Sequence, residues 1–114
     1  MICVSVVSHG HGAMVERLVA RLLEFTEISQ VLLTCNIPEP ELVISDLRLK
    51  RIDNASPKGF GANHNAAFRL CDAPFFCVLN PDITFLENPF PELQRYLHEH
   101  DAAMTAPQII APDG

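Results

Sequence analysis

Asp53-Asn54-Ala55-Ser56-Pro57-Lys58-Gly59-Phe60-Gly61-Ala62-Asn63-His64-Asn65, followed by Phe75-Phe76-Cys77-Val78-Leu79-Asn80-Pro81-Asp82, decides how the rest of the chain is read. A polar, glycine-bearing loop runs into a short helix-like piece. A wholly apolar strand then delivers one carboxylate at its C-terminal tip. The strand over Phe75–Leu79 has no polar face, so it is predicted to lie in the middle of a sheet covered on both sides. That order of parts suits a phosphorylated ligand and a divalent cation, since amides and a lysine can face phosphate and a hard cation prefers oxygen.

Outward from this stretch, strands and helices alternate. Ile2 to Val7 is a β-branched run bounded by Ser8-His9-Gly10-His11-Gly12 and reads as a second central strand. Ala13 to Phe25 carries Met14, Leu18, Leu22 and Phe25, widened by Val15, Val19 and Leu23, with Glu16, Arg17, Arg21 and Glu24 elsewhere. This is the pattern of an amphipathic helix. Val31 to Cys35 is a short apolar strand stopped by Asn36 and Pro38-Glu39-Pro40. Leu47 to Ile52, with Arg48, Lys50 and Arg51 interleaved, reads as a half-exposed strand near an edge. Gly61 to Leu70 is predicted helical with a narrow face of Ala62, Ala66, Ala67 and Leu70. Pro91 to His100 is predicted helical with Leu93, Tyr96 and Leu97 inward. Ala102 to Thr105 and Gln108 to Ala111 are short extended pieces. The alternation predicts a single α/β domain over 1–114, a Rossmann-like, mainly parallel sheet flanked by helices. Pro112-Asp113-Gly114 is a turn signal that normally leads into another strand, so the domain is expected to be C-terminally truncated, with an apolar face open to self-association.

Composition narrows the function classes. A chain of 114 residues with 48% hydrophobic and 19% charged residues is large enough to bury one core and is too apolar to be disordered. The net charge of −6, with no block of Lys or Arg, argues against nucleic acid as a partner and against adhesion to anionic membranes by charge alone. A phosphorylated ligand then needs local amides, a lysine or a metal. The four cysteines (Cys3, Cys35, Cys71, Cys77) lack the C-x-x-C spacing and read as reduced thiols, three of them in or beside apolar runs. The first residues have no cationic start and too short an apolar run for a signal peptide or membrane span, so a cytoplasmic location is expected.

In open parallel sheets, ligands bind beyond the C-terminal ends of the strands. Here the four strands end in Ser8-His9-Gly10, Asn36, Asp53-Asn54 and Asn80-Pro81-Asp82, and a convergence of these tips is the candidate site. Asp82 is placed to share a cation with a ligand diphosphate, although Asn-Pro-Asp is also good turn chemistry. Asn80 suits a ribose hydroxyl or a turn closure. Lys58, with the amides around Gly59 and Gly61, suits phosphate at a helix start, although the spacing matches no phosphate-loop or dinucleotide fingerprint. His9 and His11, on a glycine loop, do not fix a metal. His98 and His100 fit the negative end of a helix. His64 either approaches the ligand or meets solvent. No nucleophile–base arrangement is evident.

The residues resemble the N-terminal, nucleotide-sugar-binding half of family 2 glycosyltransferases of the GT-A fold, rhamnosyltransferase-like members especially. The resemblance rests on Val4-Ser5-Val6-Val7-Ser8-His9, on Pro57 to Ala67, on Val78-Leu79-Asn80-Pro81-Asp82-Ile83 and on Ala106 to Gly114. It implies that Asp82 binds the magnesium or manganese ion that bridges the donor's diphosphate, as the last acid of the family's Asp-x-Asp motif. Asn80 stands in place of the first acid, near the ribose. Ser8 and His9 would contact the nucleotide base and Asn36 would read it, while Lys58, Gly59 and Asn65 would border the diphosphate. The implied donor is a UDP-, dTDP- or GDP-sugar and the acceptor a glycan or lipid-linked sugar. The general base is expected beyond Gly114, so the chain alone is expected to bind rather than turn over. The expected location is the cytoplasm, with the inner face of the membrane as the alternative for a full-length parent. Two other readings stay open: a non-catalytic α/β binding module and a nucleotidyltransferase-like enzyme.

Overall fold

The structure is a computed structural model and describes residues 1–100. The chain divides into two compact units, Met1–Thr84 and Phe85–Gly114. The expected extended pieces at 102–105 and 108–111, the turn at 112–114 and the face for self-association lie outside the described residues.

The first unit holds β1 (Ile2–Ser8), α1 (Ala13–Leu22), β2 (Ile28–Cys35), β3 (Leu49–Asp53), α2 (Phe60–Phe68) and β4 (Phe75–Leu79). The strands form one sheet in the order β3-β2-β1-β4, and every pairing in it is parallel. The predicted α/β architecture is therefore the observed one. The β1–α1–β2 crossover steps to one side and the β3–α2–β4 crossover steps back to the other. Right-handed crossovers running in opposite directions place α1 and α2 on opposite faces. The order reverses between β1 and β4, and a crevice opens there beyond the strand ends.

The core follows from the patterns. Val4, Val6, Val31 and Leu33 are buried in β1 and β2, as are Val15, Leu18, Val19 and Leu22 on α1. Cys3, Leu32 and Ala67 pack together, with Cys71, Ala73 and Phe76 against them. All four cysteines are free thiols. Burial pushes Cys3 up to about 12 and Cys77 up to about 11, so neither is a nucleophile.

Four expectations need correction. β4 is an outer strand among the described residues rather than a central one, and Val78 is 45% exposed. An apolar run reports burial potential, and here the burial is only half realised. The third strand begins at Leu49 instead of Leu47, because Leu49 N–H closes a turn on Asp46 O (3.0 Å) and Leu47 is exposed. Arg48, read as a strand residue, instead donates to Leu23 O (2.6 Å) and Ile28 O (3.2 Å) and pairs with Asp46 (3.0 Å). It thereby serves carbonyls beyond the end of α1, which closes at Leu22 rather than Phe25. On α2, Ala67 is buried but Ala62 is exposed, as is Leu70 beyond the helix end, and the helix turns Asn63 and His64 inward instead. Polar partners on the sheet, not small size, select that face.

In the second unit, α3 spans Phe90–Glu99, and Phe90 lies 5.8 Å from Phe85, ring centre to ring centre. Tyr96, predicted inward, is exposed and stacks on His100 at 4.1 Å, while Leu93 and Leu97 are half-buried. His98 and His100 are exposed in the last turn, where His100 Nδ1 lies 3.1 Å from Tyr96 O. Among the described residues, no helix is long and apolar enough to cross a membrane.

Candidate functional site

The crevice lies wholly within the first unit and has a volume of about 470 Å³. His9 and His11 enter it from the loop after β1, Asn36 from the tip of β2, Lys58 from the loop before α2, and Asn80 and Asp82 from the tip of β4. Met14 and Phe60, both exposed, supply apolar wall. Five of the predicted residues thus meet: His9, Asn36, Lys58, Asn80 and Asp82. Ser8, Gly59 and Asn65 do not line the crevice. Ser8 is buried, with Oγ accepting from His11 N–H (3.3 Å) and its carbonyl from Asn36 N–H (2.8 Å). Gly59 is the residue before α2, and Asn65 is exposed.

Asn36 is the hub. Its Oδ1 accepts from Lys58 N–H (2.8 Å), Asn54 Nδ2 (2.9 Å) and Asn63 Nδ2 (3.1 Å). Its Nδ2 donates to Lys58 O (3.0 Å) and lies 3.1 Å from His9 Nδ1. The Lys58 backbone offers one donor and one acceptor, which fixes the orientation of the amide. Asn54 Nδ2 also donates to Asn63 Oδ1 (2.8 Å). The three asparagines lock the tips of β2 and β3 to the start of α2 and set where Lys58 stands. Both ends of the Asn36 amide are spent inside the protein. Its contribution to the crevice is therefore the placement of Lys58 and of His9, whose Nδ1 accepts and whose Nε2 carries the proton.

At β4, Ile83 N–H donates to Asn80 O (3.2 Å) and closes the Asn-Pro-Asp turn through the backbone. The side chains of Asn80 and Asp82 are left to the crevice. Among the described residues that line it, Asp82 is the sole carboxylate, and these residues hold no group of three metal-ligating side chains. One carboxylate beside space for a phosphorylated ligand suits a magnesium-type ion, which keeps several waters and takes one or two protein carboxylates plus phosphate oxygens. The third strand tip behaves differently: Asp53 is taken by Arg51 (2.9 Å) and faces another hollow.

The chain matches the model of glycosyl transferase family 2 over residues 4–114. It belongs to that family. No curated protein and no solved structure matches it. The family 2 assignment carries glycosyltransferase chemistry, with a sugar donor and an acceptor, at the coarse level.

Several residues of this family 2 domain were not singled out from sequence. Asn63 looks like loop polarity, and Asn54 like one strand tip among four, until β3 and α2 bring them onto Asn36. Glu39 looks like one acid between prolines. Ser5 is hidden in an apolar strand, yet its Oγ lies 2.8 Å from His64 Nδ1. His64 is 6% exposed, its Nε2 is buried without a partner among the described residues, and its ring meets Phe60 edge-on at 4.4 Å. It therefore reaches neither crevice nor solvent. Burial holds its pKa below the ordinary imidazole value. The folded state thus prefers neutral His64, so its contribution to stability is complete above about pH 6.5 and is lost as pH falls from there toward the lower native pKa. Urea midpoints taken from pH 7.5 to 5.5 should fall more steeply for the wild type than for His64→Gln. Parallel curves would refute it.

Proposed function

We propose that the crevice binds the diphosphate of a nucleotide-sugar donor together with a magnesium or manganese ion. The observation that carries this reading is the meeting of Lys58, Asp82, Asn80 and the two imidazoles at the point where the strand order reverses. Lys58 supplies positive charge to the diphosphate, and Asp82 holds the hydrated cation. That cation, when bound, would stabilise the charge that develops on the nucleoside diphosphate as an acceptor hydroxyl displaces it from the anomeric carbon. His9, held with Nε2–H free, donates a hydrogen bond, and Asn80 meets the ribose. Met14 and Phe60 give an apolar rest for the base.

The activity on this reading is transfer of a glycosyl group, of the rhamnosyltransferase-like kind, to a glycan or lipid-linked acceptor at the cytoplasmic side of a membrane. The acceptor's general base belongs to residues other than those lining the crevice. Calorimetry on the chain with UDP, dTDP and GDP, with and without manganese, tests the donor site. One nucleotide should bind in the micromolar-to-millimolar range and at least about tenfold more tightly with manganese. No heat from any of the three, with or without metal, would overturn the proposal.

A further inference from the structure

The loop after β1 carries both crevice imidazoles, yet its own side chains do not explain why it keeps one shape. Gly10 and Gly12 both have positive φ (77° and 54°), a region that glycine enters without steric cost and that leaves the chain loose. Gly12 is also the residue before α1, and no side chain of the loop caps that helix. The backbone N–H of His9 donates to His11 Nδ1 (2.9 Å), which ties the His11 ring to the loop's own main chain and not to the body of the domain.

Asn36 Nδ2 holds the His9 ring (3.1 Å) and Ser8 Oγ the His11 N–H (3.3 Å), but the two glycines are anchored from the crossover between β2 and β3. Glu39 Oε1 accepts from Gly12 N–H (3.2 Å), setting a carboxylate at the positive end of α1. Ile37 of the same crossover closes over Gly10: a Cβ built there would lie 3.2 Å from Ile37 Cδ1. The crossover is itself clamped by Arg51 on β3. Its guanidinium donates to Glu39 O (2.7 Å), Pro40 O (2.7 Å) and Asp53 Oδ1 (2.9 Å), one bond from each of its three nitrogens.

We propose that Glu39 is a positioning residue of the donor site: held by Arg51, it fixes the glycine loop so that His9 and His11 face the ligand. The claim deepens the donor-site reading and rests on it. The carboxylate's own state agrees. Burial raises the Glu39 pKa, but the Ser8 hydroxyl, the Gly12 and Gly10 amides and the Arg51 charge outweigh that and hold it below the usual range. The charged form is therefore the native one at neutral pH. Because Glu39 already sits at the start of α1, a ligand's anionic group meets Lys58 and the imidazole N–H groups rather than that helix end.

The test uses the whole chain, with imidazole nitrogen–proton correlation spectra recorded beside calorimetry with UDP and manganese. Glu39→Ala should shift the His9 and His11 ring signals and weaken the nucleotide by about tenfold or more, the scale of a misplaced contact. Glu39→Gln, whose amide oxygen can still accept from Gly12 N–H, should keep both within about threefold of wild type. If Glu39→Ala does not fold, Arg51→Ala, which frees the Glu39 and Pro40 carbonyls, carries the same expectations. Unmoved ring signals and unchanged affinity in the alanine variant would overturn the assignment. So would a glutamine variant as impaired as alanine. If the wild type binds no nucleotide, the donor reading fails, and the ring spectra still decide whether Glu39 sets the loop.

Discussion

Replacing Asn36 with alanine is expected to lower the melting temperature by roughly 10 °C or more, and to weaken nucleotide binding along with it. The side chain is 7% exposed and satisfies the backbone N–H and C=O of Lys58, the amides of Asn54 and Asn63, and the ring of His9. Truncation leaves several of these groups without partners at once. Each buried orphan costs about 1–3 kcal/mol, although water reaching the exposed Lys58 loop offsets part of the sum. A net loss of about 2–4 kcal/mol follows, a large share of a small domain's stability. Asn36→Asp separates the parts of the network. It keeps the acceptor for Lys58 N–H but sets a carboxylate oxygen against Lys58 O and His9 Nδ1, so it should also destabilise. Thermal melts beside calorimetry give the reading. A residue that only read the base would lose affinity with the melting temperature unchanged, and that result would refute the hub.

The contrast shows which parts of the molecule were legible from sequence. The parallel α/β sheet was, because apolar runs, amphipathic spacing and turn residues are local signals. The convergence of three of the four strand tips was too, since parallel strands bring their C-terminal ends to one side, but Asp53 at the third tip faces another hollow. The partition of labour among the polar residues at those tips was not. Asn36 and Asp82 both stand at strand ends and look equivalent in one dimension. In the fold, Asn36 faces Lys58 and two other asparagines and is consumed by them, whereas Asp82 lies on a turn closed by the backbone and, among the described residues, its oxygens have no partner. Likewise β4 has the composition of a central strand, but among the described residues it has a neighbour on one side only, and an apolar run cannot say which neighbours arrive. The inward face of α2 was misread for a related reason. Asn63 and His64 turn to the sheet because Asn36 and Ser5 offer them hydrogen bonds, and such long-range pairings leave no periodicity along the chain.

Asp82→Ala should give the opposite profile to Asn36→Ala: the melting temperature unchanged and the manganese-dependent part of nucleotide binding gone. The carboxylate is exposed and the Asn80–Ile83 turn does not use it, so stability should move by no more than about 0.5 kcal/mol, as for ordinary surface substitutions. Binding should respond strongly, because no second carboxylate lines the crevice among the described residues to take over the cation. A loss of about 100-fold in the presence of manganese corresponds to about 2.7 kcal/mol, a reasonable share for the one protein ligand of a hydrated ion. In the absence of manganese, wild type and variant should bind alike, or the variant slightly better, since it removes a negative charge facing the diphosphate. Asn80→Asp supplies the complementary case. It restores a second acid on the same turn and should raise the affinity for manganese, while in metal-free buffer the added charge should weaken the nucleotide. Calorimetry of the two variants with and without metal therefore distinguishes a cation held by Asp82 from a crevice that binds nucleotide through Lys58 and hydrogen bonds alone. If Asp82→Ala retains the full effect of manganese, the metal lies elsewhere and the assignment of this carboxylate falls.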